Sequence, residues 1–328
     1  MAERTSVSQI VQLGVETTEG TAVAANRLLP SLKIEPAIQQ VINHYRALGF
    51  KFPTVTALGK NWSAAKFSGV ATYDELVYLL ASVMSFTAPT QQGATTAYSW
   101  PHTILSSAED VVKFYTVEQG SAVRAHKAAG YRVVDFQLDW DRDKAEVSGL
   151  MVGRALTDGI TLTASPTAVP QVPILGNDIE IFADDTSAGL GTTKLGRTHK
   201  GSLKIASRFA PLWVVDRLQT SFVAQVEKDI DAKLMLWAQA DVGGMGFYTL
   251  SQTAGAKKFI RVKATSAQNA GTAIPYSASF DAALTVDKLG DFGDDQEVYG
   301  LPIDLMLVHD ATFAKAIAAT VINTRTAL

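Results

Sequence analysis

The stretch from 113 to 156 constrains this chain most, because a second version of it returns at 258–307 and divides the 328 residues into two related halves. Lys113-Phe114-Tyr115 matches Lys258-Phe259-Ile260, and Tyr131 matches Tyr276. Asp135 and Leu138 then answer Asp281 and Leu284, and Glu146-Val147-Ser148-Gly149-Leu150 answers Glu297-Val298-Tyr299-Gly300-Leu301. The extra residues of the second version fall in the turn before its last block, where a repeated fold tolerates insertion. Ser31-Leu32-Lys33-Ile34 and Ser202-Leu203-Lys204-Ile205 extend the match upstream. This doubling predicts two domains, 1–165 and 166–328, joined through a proline-bearing linker at 163–173.

Both versions alternate as a strand with one buried face must. Val134, Phe136, Leu138 and Trp140 point one way, and Asp135, Gln137 and Asp139 the other. In the second version Phe280, Ala282, Leu284 and Val286 oppose Asp281, Thr285 and Asp287. Each strand runs into an acidic turn and a return strand, so each is expected to form an antiparallel hairpin. The expected fold class is mainly β (β+α): two tandem β-sandwich or barrel-like domains, each with a flanking α-helix.

The first helix is expected over 73–85. Thr72 and Glu75 form a capping box, and Leu76, Leu79, Leu80 and Val83 make one buried face. In the second half the same logic predicts a strand from 220 to about 231 and a helix from about 232 to 240, stopped by Gly243 and Gly244. Residues 1–30 read as an arm whose short strand, from Ile10 to Val15, docks elsewhere. Residues 36–60 and 207–220 read as long loops carrying aromatics, which serve as contact surfaces or folded-over hairpins or else tuck into their own domain core. Tyr45, Phe50, Phe52, Arg208, Phe209 and Trp213 are the candidate contacts there. Residues 312–328 suit a helix or a strand equally.

Composition excludes several chemistries. There is no cysteine, and the five histidines are scattered without ligand spacing. Asp139-x-Asp141-x-Asp143 opens like a calcium loop, but Lys144 and Leu150 stand where such a loop needs Gly and Glu, so a solvated turn is expected. No phosphate-binding glycine loop opens a helix; Gly243-Gly244-Met245-Gly246 is expected to follow one. No nucleophile elbow is present. No catalytic, metal or cofactor residue is therefore expected, and the chain reads as non-enzymatic. A formal charge of −3 argues against tight nucleic-acid binding. No apolar run spans a bilayer, and residues 1–9 carry no signal core, so a soluble protein made in a cytoplasm is expected.

The order of these elements resembles the tail tube protein, or major tail protein, of long-tailed bacteriophages. Carrying the resemblance are the N-terminal phrase from Gly14 to Ala22, the "SLKIEP" strand, the single helix after Tyr73, the Lys-Phe-Tyr and Lys-Phe-Ile strands, and the run from Tyr276 to Asp287. It implies rings with an inner β-barrel, stacked into the conduit through which the genome passes. Family members mostly have one such domain and form hexameric rings, so a doubled chain implies a trimeric, pseudo-hexameric ring, with a hexamer as the alternative. The implied partners are the chain itself, the tape measure protein in the lumen, the tail terminator and tail tip proteins, and double-stranded DNA in transit without specific binding. The implied location is the virion tail, assembled in the bacterial cytoplasm, with no membrane. Asp135, Asp139, Asp281 and Asp287 become candidate lumen-facing residues. Two rivals make other demands: a carbohydrate-binding or adhesin module with a groove from Trp62, Trp100 and Trp213, or a hydrolase with its site between the halves.

Overall fold

The computed structural model describes residues 8–253 and 255–328. Short-period alternation prevails along the chain, and the fold is mainly β. The principal strands are β1 (Ile10–Glu16), β2 (Leu32–Tyr45), β3 (Val55–Val70), β4 (Tyr98–Thr103), β5 (Phe114–Gly120), β6 (Ala125–Trp140) and β7 (Ala145–Gly153). They continue with β8 (Ile179–Asp184), β9 (Thr198–Ala206), β10 (Asp231–Gln239), β11 (Lys258–Gly271), β12 (Ile274–Leu289), β13 (Val298–Leu307) and β14 (Ile317–Asn323). Helix α1 (Leu76–Val83) follows β3, and helix α2 (Val242–Ser251) follows β10.

One pairing order occurs twice. In the first run β2 pairs β3, β3 pairs β7, β7 pairs β6, β6 pairs β5 and β5 pairs β1. In the second β9 pairs β10, β10 pairs β13, β13 pairs β12, β12 pairs β11 and β11 pairs β8. All these pairs are antiparallel. The runs are joined in one sheet because Gly201 to Ile205 of β9 hydrogen-bond along Trp140 to Phe136 of β6. A second junction forms where β14 lies between β12 and β4. One apolar core, from Val11 to Val321, underlies both runs.

Register departs from the residue-by-residue match. Leu32 faces Gly69 as Leu203 faces Leu234, so the upstream twins hold. But Val147 lies between Gly69 and Leu138, and the residue placed likewise in the second run is Leu305, between Leu234 and Val286, not Val298. A period of two repeats along every strand, so sequence likeness slides along a strand more easily than hydrogen-bond register does. Val134 also leaves the face expected of it. A bulge between Leu150 and Met151 turns it from Phe136, Leu138 and Trp140 into a small cluster with Val152 and Phe222.

Several elements differ from expectation. β1 pairs β5 of its own chain, so the N-terminal strand is part of the sheet and not a remote arm; residues 1–7 lie outside the described residues. Residues 163–173 are docked: Val169 and Val172 are buried, and the Tyr73 amide donates to Val172 O at 3.0 Å. In the second half the strand is Asp231–Gln239, with Ala232, Leu234, Leu236 and Ala238 buried, and the helix comes after it. Its glycines open it instead of following a helix. Asp241 caps the amide of Gly244 at 3.0 Å, and a Cβ on Gly244 would collide with Gln239 O. The last stretch resolves as strand β14.

Helix α1 is enclosed on every side, not on one face: all eight residues from Leu76 to Val83 are buried. Thr72 Oγ1 accepts the Glu75 amide at 3.2 Å, but the Glu75 carboxylate turns to the Ser31 amide at 3.0 Å, so the box is half formed. Asn323 closes the other side. Its amide donates to Tyr73 O at 2.9 Å, and its Oδ1 accepts the Trp100 indole N–H at 2.9 Å.

Asp74 is fully buried before this helix, and neither carboxylate oxygen has a hydrogen-bond partner among the described residues. Burial pushes its carboxyl up to about 7, against the pull of Arg325. The unfolded carboxyl loses its proton near its ordinary value of 3.8. Between these values the folded chain holds a proton that the unfolded chain has lost, so stability falls as pH rises through that window. Asp74→Asn is expected to flatten the slope and stabilise the chain at pH 8 by on the order of 2–4 kcal/mol. Urea denaturation from pH 4 to 8 measures this, and an unchanged slope would place the sensitivity elsewhere.

Candidate assembly surfaces

Joining the two runs makes a wall of eight consecutive strands, β2–β3–β7–β6–β9–β10–β13–β12. Both ends of this wall are open. Among the described residues β2 pairs β3 alone. On β12, pairing with β11 stops at Leu284, so residues 285–289 are paired only on the β13 side. Open edges of this kind present unpaired amides and carbonyls to another strand.

The turns fall at opposite ends of the wall. Strands β2 and β3 run past their neighbours as a projecting hairpin whose tip is turned at Gly49, with a φ of +84°. The segment expected to be a loop is thus mostly paired backbone. Tyr45, Phe50 and Phe52 are 57%, 62% and 78% exposed, and Leu48 is fully exposed between them. Residues 36–60 contain Arg46, Lys51 and Lys60 and no carboxylate. The β6–β7 turn lies at the far end, since Trp140 faces Ala145 beside Val70. There the Asp141 carboxylate accepts the Asp143 and Lys144 amides at 2.8 and 2.9 Å, the expected solvated turn. The β12–β13 turn, with Asp291, Asp294, Asp295 and Glu297, lies at the same end, because Gln239 faces Gly300 where β10 leaves β9.

The matching excursion of the second half folds back. From Ser207 onward it forms a small hairpin, Phe209–Leu212 with Ala224–Glu227, laid over the first run. Arg208 and Phe209 are 1% and 3% exposed, so they are internal residues and not contacts with other subunits. The Arg208 guanidinium is ion-paired to Asp110, and reaches Glu227 at 3.3 Å and Val83 O at 3.2 Å. Arg132 lies over the Phe209 ring at 4.2 Å. Trp213 is half-buried, edge-on to Trp62 at 5.5 Å and to Phe222 at 6.0 Å. Alternation could not distinguish this excursion from its projecting twin. The deciding partner of Arg208 lies 98 residues away, and no local signal marks it.

The four aspartates do share the face opposite the core, but each has a partner. Asp135 accepts the Ser207 amide at 2.8 Å where the excursion covers the sheet. Asp139 accepts from Gln137 at 2.9 Å. Asp281 takes both nitrogens of Arg261 at 2.6 and 2.8 Å, and Asp287 pairs Lys233 at 3.1 Å. Lys66, Lys204 and Lys233 alternate with them on this face, so it is mixed in charge and not an acidic strip. The tryptophans of the carbohydrate reading do not form one groove: Trp100 is fully buried with its N–H on Asn323, while Trp62 and Trp213 cover each other.

Compared with known proteins, the chain matches no family model and no curated protein. Any function therefore has to be argued from its edges, its hairpin and its charge.

Arg208→Ala would leave the buried Asp110 carboxylate without its counter-charge, held by the Leu105 amide at 3.0 Å, and release the folded excursion. A loss on the order of 3–5 kcal/mol is expected, read by chemical denaturation. A loss below about 1 kcal/mol, typical of exposed ion pairs, would show that the cluster does not hold the excursion down.

Proposed function

We propose that this chain is a structural, non-catalytic subunit of a bacteriophage tail tube, and that three copies close edge to edge into a ring. The observation that carries the reading is the β6–β9 junction, in which one run already receives the other along a strand edge. Leu138, in the receiving strand, faces Leu203 on one side and Val147 on the other. Val286 occupies the same place beside Leu305, and its other side is open. Leu32, the twin of Leu203, lies on the open edge of β2. Repeating the junction between copies therefore sets Leu32 of one copy opposite Val286 of the next. A ring closed this way leaves no wall edge unpaired.

Barrel size follows from strand number. Sixteen- to eighteen-stranded barrels already hold an aqueous channel. Three walls of eight strands exceed that, so the ring would enclose an open bore. The face bearing Asp139, Asp281 and Asp287 would line it, with Lys204 and Lys233 between them. Alternating charges have little net field, which suits a surface that DNA or a tape measure protein passes without adhering. The doubled pairing order supports two tandem tube-like domains per chain, and with them the likeness to tail tube proteins.

Light scattering with negative-stain electron microscopy tests the ring. Hollow rings or tubes with three chains per ring are expected. A monomer at every concentration would overturn the assembly reading, and six chains per ring would overturn the threefold closure.

A further inference from the structure

A cleft of about 300 Å³ opens where the folded excursion meets the first run. Its wall comes from the Gly20 turn, from Lys127 to Ala129 near the start of β6, from Arg154 just after β7, and from 218–221 of the excursion. The excursion is tied down there, since Thr220 O accepts the Asn61 amide of β3 at 2.9 Å. Among the described residues Lys127 and Arg154 are the only ionisable groups in this lining, and no carboxylate shares it.

Two glycines seat Arg154. Gly20, at a φ of +74°, lies so close to the guanidinium that a Cβ there would overlap it, and a Cβ on Gly130, at +68°, would crowd the Gly20 backbone at 3.3 Å. So placed, the guanidinium meets main-chain oxygens: Val223 O at 2.8 Å, and Gly20 O and Glu19 O at 3.4 Å. Its Nε–H and the Ser221 hydroxyl have no partner among the described residues, and Lys127 makes no ion pair among them. The nearby carboxylates are engaged elsewhere. Glu16 accepts the Gly20 and Gly130 amides at 2.7 and 2.8 Å, Glu19 reaches Arg132 at 3.9 Å, and Asp158 pairs with Arg124 and His126.

We propose that this cleft binds a small phosphate-bearing anion. Two cations without a carboxylate select it, because a phosphate monoester carries a charge of about −1.5 to −2 near neutral pH, and a carboxylate only one negative charge. A guanidinium suits phosphate oxygens through its paired N–H donors, and an ammonium adds a point charge. The volume stands at the lower end of the ~300–1,000 Å³ of small-molecule sites, enough for a phosphate with a small organic group. The bound anion would bridge the first run to 218–221, holding the excursion by its loop while Arg208 holds its base. The site lies within one chain and stands whether or not rings form.

Thermal unfolding, with inorganic phosphate titrated against chloride at constant ionic strength, tests this. A saturating rise in Tm of at least about 3 °C is expected. Lys127→Gln, which leaves the Arg154 contacts in place, is expected to weaken the apparent affinity by roughly tenfold or more. Ser221→Asp puts a carboxylate into the cleft and is expected to remove the response. Glycerol 2-phosphate is expected to act as inorganic phosphate does, and a short DNA duplex of equal phosphate content to have no such effect. No rise, or a rise that grows without saturating as general exclusion of the salt would produce, would overturn the site. So would a saturating rise that Lys127→Gln leaves unchanged. A duplex as effective as phosphate would overturn the assignment to a small anion.

Discussion

The structure depends on main-chain hydrogen bonds made along strand edges, above all those between β6 and β9. A strand edge carries unpaired amides and carbonyls that must find water or another strand. Here β6 gives one edge to β7 and the other to β5 and then β9, so a single strand joins the first run to its branch and to the second run. Everything downstream of β9 is positioned by that shared edge. Without it the two runs would still meet through β14, the docked segment around Val169 and Val172, and the excursion held by Arg208.

Charge in this protein is placed to separate ends, not to coat a face. Ion pairs such as Asp281 with Arg261 and Asp287 with Lys233 neutralise the sheet surface, whereas the hairpin carries cations without a carboxylate and the β12–β13 turn at the opposite end carries Asp291, Asp294, Asp295 and Glu297. An exposed pair such as Asp287 with Lys233 stabilises by little, typically ~0–1 kcal/mol. The greater effect of these pairs is to leave a long-range field only where the partnered surface stops. The buried Arg208 group is different in kind, because losing one member strands a charge away from water.

Much of the fold was legible in the residues because alternation reports burial directly. The strand from Val134 to Trp140, the helix after Thr72, the Asp141 turn and the Leu32 and Leu203 twins all follow from period and local capping. Register was not legible, since sliding along an alternating strand keeps the pattern: Val298 resembles Val147 in sequence, yet Leu305 holds its place. Nor could local sequence separate two like excursions, one projecting at Phe50 and the other pressed down through Arg208 on Asp110. The exposed aromatics Tyr45, Phe50 and Phe52 were the part of the candidate surface that sequence could mark, although Leu48, Phe50 and Phe52 alternate as the face of a buried strand would.

Asn323 gives the molecule a clock. Its side chain completes both the start of α1, through Tyr73 O, and the buried indole of Trp100, from which it is separated by 223 residues. At about 5–20 residues per second, a ribosome needs roughly 10–45 s to cover that distance. During that time the Trp100 N–H and the first turn of the enclosed helix lack their partner, so the shared core stays unfinished while its strands are already made.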